Sequence, residues 1–332
     1  LFAYFFRSQV AHAIIANLNI DDAKKAAGIY GVFTAEDLEK NGVKNDLVGV
    51  TVKNRDGTDG ACPKRPLLAK EIVRFVGEPI VIIVADSIPN AKDAAELIEI
   101  DYDDLPVSID LAVGENTIHP EAPGNVAFEW DLGDKSKTDA VFKNANQVVS
   151  MEVYNNRIIA NSMEPRGCYA QWDDERLHLA FSGQGVWVHK RFASEILGLK
   201  IEQIRVTNPD VGGGFGMKAM GYPEEFVVSF AAIKLKKPVR WVSERTEAML
   251  SDNAGRDLKH LAELAFDETN KIVGYRVNTF CNLGAYNSRF GQNIQTGLFS
   301  KVLMGVYDVQ NTYLSVTGIY TNTTQVDAYR GA

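Results

Sequence analysis

The stretch Glu78–Asp104, EPIVIIVADSIPNAKDAAELIEIDYDD, decides how the first part of the chain folds. Ile80–Ala85 is an unbroken apolar run, as a strand covered on both faces requires. Ala91, Ala94, Ala95 and Ile98 then fall at i, i+3, i+4 and i+7, which is one face of a helix. Pro89 suits the first turn of that helix. Ile98–Tyr102 returns as a strand, so a β–α–β order is expected, packed in one small domain.

Upstream, Leu1–Ser8 and Ala13–Ile20 have strand composition, Asp21–Ala27 suits a short helix, and Gly28–Thr34 reads as a strand. Thr34 with Asp37 resembles a capping box opening a helix over Ala35–Asn41. Downstream, Val107–Ala127 carries Gly114, Pro120, Pro123 and Gly124 among polar residues and reads as a linker. The second part starts near Phe128. Strands are expected at Gln147–Asn155, Gly167–Trp172, His178–Ser182 and Ile204–Thr207. Helices are expected at Val188–Leu197 and Glu224–Leu235, with a buried strand at Pro238–Val242. Lys259–Phe266 and Ile272–Asn282 form an antiparallel pair around the turn Asp267–Lys271. The expected fold class is α+β: an α/β domain over 1–107, a linker over 108–127, and a mixed α/β domain over 128–332. No internal repeat is visible.

Net charge is −8, from 35 basic and 43 acidic residues, with no basic stripe, which argues against nucleic acid. No segment is apolar for long enough to span a membrane. Asp101, Asp103 and Asp104 read as a solvated edge. Cys62, Cys168 and Cys281 are too sparse for a disulfide framework and imply a reducing compartment. Without a CxxC pair, the chain is not expected to hold its own iron–sulfur cluster or structural zinc. The isolated histidines read as structural. The chain begins at Leu1 and ends inside Tyr-Arg-Gly-Ala, so both ends read as cuts through a longer protein.

Val211–Lys218, VGGGFGMK, is explained by neither helix nor strand propensity. A glycine run implies backbone angles or close approaches that a Cβ would block. A turn of this kind between a strand and a helix aims several N–H groups one way, as an anion or oxygen cradle. A Walker loop fails, because Met217 precedes Lys218 and Ala219 follows it. A dinucleotide fingerprint fails too, because Met217 or Ala219 stands where its third glycine belongs. Ser182-Gly183-Gln184-Gly185 follows a strand and precedes a helix; alone it reads as a helix-capping polar loop, with Gln184 offering a donor and an acceptor. In Met163–Gly167, Glu164 and Arg166 flank Pro165 as an ion pair or a cofactor contact; alone they read as structural. Arg330, in Asp327–Ala332, suits anionic oxygens, although alone it is an ordinary surface arginine.

Taken in order, these pieces resemble the molybdenum-cofactor subunit of the xanthine dehydrogenase and aldehyde oxidase family, which includes carbon monoxide dehydrogenase large chains. Arg7-Ser8 with Ala11-His12-Ala13, Val76-Gly77-Glu78-Pro79, Asp93–Ile98 and Asp101-Tyr102 are similar to that family's small α/β hammerhead domain. Met163–Gly167, Gln184, Gly212–Gly216 and Ala328–Gly331 follow in the order of its molybdopterin-binding domain. The resemblance covers essentially the whole chain and implies the N-terminal half of such a subunit.

It further implies that Gln184 contacts an oxygen ligand of the metal. Phe215 would close the pocket at the metal, with Gly213, Gly214 and Gly216 around it, and Arg330 would lie near the metal's oxygen ligands. Gln184, Phe215 and Arg330 would act from outside the metal's direct ligands, since the pterin sulfurs hold it. The implied cofactor is Mo-molybdopterin in the cytosine dinucleotide form. The implied chemistry is hydroxylation of a small molecule with water as oxygen source. Electrons would pass to 2Fe–2S clusters and FAD on partner subunits. The general-base Glu is expected in the missing C-terminal half, which is itself a partner. The assembly implied is a cytoplasmic dimer of heteromers. Gly331 stands where carbon monoxide dehydrogenases carry Cys, and Ala219 where purine-directed members carry Glu. An aldehyde or N-heteroaromatic substrate is therefore the expectation. Alternatives are a carbon monoxide or purine dehydrogenase large subunit, or a cofactor-free assembly or binding paralogue.

Overall fold

The computed structural model describes residues 1–47 and 49–331; Ala332, the last residue of the expected second domain, and Val48 lie outside the described residues. The first part contains β1 (Phe2–Arg7), β2 (Ala13–Asn19), α1 (Asp21–Lys25), β3 (Ile29–Phe33), α2 (Ala35–Lys40), β4 (Ile72–Val73), β5 (Pro79–Ala85), α3 (Ile88–Ala95) and β6 (Glu99–Asp104). Next come β7 (Val126–Gly133), α4 (Lys135–Lys143), β8 (Gln147–Asn155), β9 (Ile158–Ile159), β10 (Gly167–Asp173), β11 (Arg176–Phe181), α5 (Trp187–Leu197) and β12 (Ile204–Thr207). The last part adds α6 (Pro223–Leu235), β13 (Val239–Val242), α7 (Arg245–Ser251), β14 (Ala254–Gly255), β15 (Leu258–Phe266), β16 (Ile272–Gly284) and β17 (Thr312–Tyr320).

Local chemistry explains most boundaries. The Thr34 N–H donates to the Asp37 carboxylate at 2.9 Å, and Ser87 caps α3 by accepting from the Asn90 N–H. In the β15–β16 turn, Asp267 accepts from the N–H groups of Thr269 and Lys271 at 2.8 and 3.0 Å. Every residue of β5 is buried, because the strand lies between β1 and β3.

The β–α–β expectation holds in order but not in pairing. β5 joins a seven-stranded sheet, β12-β11-β10-β13-β1-β5-β3, whereas β6 pairs with β2 in a separate three-stranded sheet. The apolar β5 seeks cover on two faces; β6 exposes alternate residues and needs cover on only one. The seven-stranded sheet also crosses the expected domain boundary, through the pairing of β1 with β13. One core therefore mixes Phe5, Ile82 and Val84 with Leu179, Phe226 and Trp241. The strand expected to be buried at Pro238–Val242 alternates instead: Val239 and Trp241 are buried, Arg240 and Val242 exposed.

A five-stranded sheet, β7-β17-β16-β15-β8, forms a second layer. Its edge strand β8 is exposed almost throughout, with Met151 60% exposed. No helix among the described residues is long and apolar enough to cross a membrane.

The expected linker is irregular but packed, with Ile118, His119 and Ala122 buried. The His119 Nε2–H donates to the Ala285 carbonyl, and the ring lies against Tyr286 and Tyr320. Burial pushes the His119 pKa down to about 4 from its ordinary 6.5. The folded value is the lower one, so the unfolded chain takes up the proton first. Stability is therefore complete above pH 6.5 and falls as pH drops toward 4, by roughly 3 kcal/mol. Urea unfolding midpoints should trace that loss, and His119→Gln should flatten it. An unchanged slope in the variant would remove His119 as the source.

Candidate functional site

Four chain segments meet at the glycine loop, and the absent Cβ atoms are what let them meet. A Cβ on Gly212 would stand 2.5 Å from the Glu164 Cβ, one on Gly214 2.5 Å from Gln184 Oε1, and one on Gly216 2.7 Å from the Ala328 carbonyl oxygen. The close approaches that the glycine run implies are made, at these three positions, by the chain itself. The loop also does not run straight into a helix, because a 3₁₀ turn, Met217–Ala219, intervenes before α6.

Hydrogen bonds lock the junction. The Gly212 N–H donates to Glu164 Oε2 at 2.8 Å, and the Gly216 N–H donates to Gln184 Oε1 at 2.9 Å. That leaves the Gln184 NH2 without an acceptor among the described residues. The Arg330 N–H donates to the Phe215 carbonyl at 2.9 Å. Phe215 and Arg330 both sit in the left-handed region, at φ 55° and 47°. Each costs of order 1 kcal/mol, held by the surrounding contacts. The Arg330 guanidinium lies 4.9 Å from the Phe215 ring centroid and makes no salt bridge among the described residues. Phe215 is 38% exposed.

Gln184, Phe215, Arg330 and the glycines Gly213, Gly214 and Gly216 are thus brought together. Two loop N–H groups are used internally. Those of Gly213, Gly214 and Phe215 have no acceptor among the described residues. Three successive free donors, the Gln184 amide and one guanidinium form a surface suited to an oxygen-rich, anionic group.

Beside the loop lies an ionic floor, buried except for Glu164, whose side chain is 42% exposed. Glu164 does not pair with Arg166. Lys218 donates to Glu164 Oε2 at 2.9 Å and to Ser182 Oγ at 2.6 Å. Arg166 donates to Asp252 at 2.6 Å, to Glu224 at 2.9 Å and to Ser251 at 3.1 Å. Arg7, from β1, reaches Glu224 at 2.7 Å and Glu247 at 2.6 Å. The Arg166 guanidinium stacks 3.7 Å from the Tyr222 ring centroid, and Tyr222 donates to the Met217 carbonyl at 2.9 Å. The floor thus connects to the loop through Tyr222.

Burial alone would raise the Glu224 pKa, but the Arg166 and Arg7 charges hold it far below the usual carboxylate range. Burial likewise opposes ionisation of Glu164, yet hydrogen bonds from Lys218, Ser182 and Gly212 keep it below its ordinary value. Sequence reading missed Lys218, Glu224, Asp252 and Tyr222 as parts of this assembly. The available signal was a lysine set among Met217, Ala219 and Met220, where a surface residue is out of place.

The chain matches two families. The aldehyde oxidase and xanthine dehydrogenase a/b hammerhead domain covers residues 1–106, and the molybdopterin cofactor-binding domain covers residues 118–332. It is 33% identical to the nicotine 6-hydroxylase large subunit of Paenarthrobacter nicotinovorans, over 100% of this chain and 41% of that protein. It is 32% identical to the carbon monoxide dehydrogenase large chain of Hydrogenophaga pseudoflava, over 95% of this chain and 40% of that one. Among solved structures, quinoline 2-oxidoreductase from Pseudomonas putida 86 superposes with a TM-score of 0.90 at 28% identity, covering 99% of this chain and 42% of that chain. The chain belongs to the molybdopterin-binding xanthine dehydrogenase and aldehyde oxidase family. It spans about 40% of the length of these two relatives.

Proposed function

We propose that this chain holds the molybdopterin cofactor in a molybdenum hydroxylase. That enzyme oxidises an aldehyde or N-heteroaromatic substrate, with water as the oxygen source. The observation that carries the reading is the convergence of Gln184, Phe215 and Arg330 on a loop with three free N–H groups. The cofactor's metal, when bound, supplies the two-electron redox chemistry. The N–H groups of Gly213, Gly214 and Phe215 bind its oxygen-rich edge. Gln184, fixed through its Oε1, presents an NH2 donor in a set orientation, and Phe215 excludes water. Arg330 supplies fixed positive charge beside them.

An N-heteroaromatic substrate is supported by the relatives named for nicotine and quinoline. Carbon monoxide is disfavoured by Gly331 and purine by Ala219, on the family resemblance. The rest of the reading follows that family. The cofactor is the cytosine dinucleotide form. A C-terminal half supplies the general-base Glu. Iron–sulfur and FAD subunits carry electrons away, in a cytoplasmic dimer of heteromers.

Metal analysis of the native complex tests the reading: about one molybdenum per chain is expected, and less than about a tenth would overturn it. A screen with an artificial electron acceptor against aldehydes, nicotinate, purines and carbon monoxide identifies the substrate class. Gln184→Ala should keep its metal while turnover falls roughly 100-fold, because one preorganised donor is lost. Unchanged turnover would remove Gln184 from the site.

A further inference from the structure

Lys218 is a fully buried lysine, with 0% of its side chain exposed. It closes the glycine loop, two residues after Gly216, and its ammonium reaches Glu164 Oε2 and Ser182 Oγ. That single carboxylate oxygen collects three donors: Lys218 Nζ, Ser182 Oγ at 2.7 Å and the Gly212 N–H at 2.8 Å. Glu164 is therefore the buttress that fixes the start of the loop. It is also a negative charge bonded to the residue directly before the free N–H groups of Gly213, Gly214 and Phe215. An uncompensated carboxylate there would repel the anion those groups suit. A neutral amide and a neutral hydrogen-bonding partner would buttress the loop as well. Burying the Lys218 ammonium for that purpose, against a carboxylate whose side chain is 42% exposed, carries a desolvation cost with no structural return.

We propose that Lys218 is a positioning residue whose ammonium cancels the Glu164 charge, so that a carboxylate can brace the glycine loop without repelling an anionic ligand from it. This rests on the reading that the ligand is the phosphate-bearing pterin cofactor.

The test is a charge cycle in the native complex: Lys218→Met, Glu164→Gln, the double variant, and Lys218→Arg. The readouts are molybdenum per chain, the fluorescence of released pterin, and the unfolding midpoint. Lys218→Met should lose roughly tenfold in retained cofactor. Lys218→Arg and Glu164→Gln should stay near wild type. The double variant should recover to within about twofold of wild type, because both charges are gone. A purely structural role predicts the opposite for the double variant, which would retain no more than Lys218→Met; that result overturns the proposal. So does wild-type retention in Lys218→Met. If Lys218→Met fails to fold, Glu164→Gln decides: loss of cofactor there overturns the proposal, and retention upholds it. A wild-type complex without molybdenum overturns the proposed function, and this inference with it.

Discussion

Glu224→Ala should lower the unfolding free energy by about 3–5 kcal/mol, the largest loss expected of any single substitution considered for this chain. Glu224 lies between two buried guanidiniums, with Arg7 at 2.7 Å and Arg166 at 2.9 Å. Removing it leaves both cations short of a partner where water cannot replace it. Glu247 and Asp252 then carry the floor alone. A domain's whole stability is about 5–15 kcal/mol, so the variant should be partly unfolded in mild urea. The pH dependence has a definite sign. The folded-state pKa lies far below the ordinary 4.5, so the Glu224 contribution is complete above that value. It is lost as pH falls through the folded-state value, and the gap between wild type and variant should narrow only in strong acid. Urea titrations at neutral pH measure the main effect; a loss under about 1 kcal/mol would show that Arg7 and Arg166 find other partners.

Gly214→Val should abolish most activity while leaving the chain folded. Gly214 does not adopt a left-handed φ, so valine meets no backbone strain there. Its Cβ instead lands 2.5 Å from Gln184 Oε1. The amide must swing away, losing the bond from the Gly216 N–H and with it the fixed NH2 donor. Turnover of the native complex should fall at least roughly 100-fold. Gly216→Val is the contrast. There φ is 96° and the obstacle is the Ala328 backbone carbonyl, which cannot rotate aside as a side chain can. Thermal unfolding should shift little in the first variant and several degrees in the second. Equal shifts in both would mean that the Gln184 side chain is held as rigidly as backbone.

The sequence was readable where a few neighbouring residues settle the matter. The Ile80–Ala85 run, the Ala91–Ile98 stripe, the Thr34–Asp37 cap and the Asp267 turn each carry their own local reason. Of the candidate site, only the glycine run is unusual in its own surroundings; Gln184 and Arg330 each read as ordinary alone and were joined to it by the family resemblance. What resisted reading was decided at long range. Nothing in β5 or β6 says that they part into different sheets, because their partners β1, β3 and β2 lie dozens of residues away. The pairing of Arg166 with Glu224 rather than Glu164 depends on α6 returning beneath the loop. Lys218 gave a faint signal only, since a lysine is ordinarily solvated unless a carboxylate waits inside. The need for glycine was legible; its cause, the packing of Glu164, Gln184 and Ala328 against the loop, was not.

The pairing of β1 with β13 bears on how such proteins can diverge. Two families match the chain separately, over residues 1–106 and 118–332, which would let each be exchanged as a module. The sheet forbids a clean exchange. Phe5 meets the Trp241 ring edge-on at 5.8 Å, and Arg7 shares Glu224 with Arg166. A recombinant joining the first segment of one relative to the second of another would place these partners in different parental sequences. The two segments are therefore expected to be inherited together, each accumulating substitutions that the other has already accommodated.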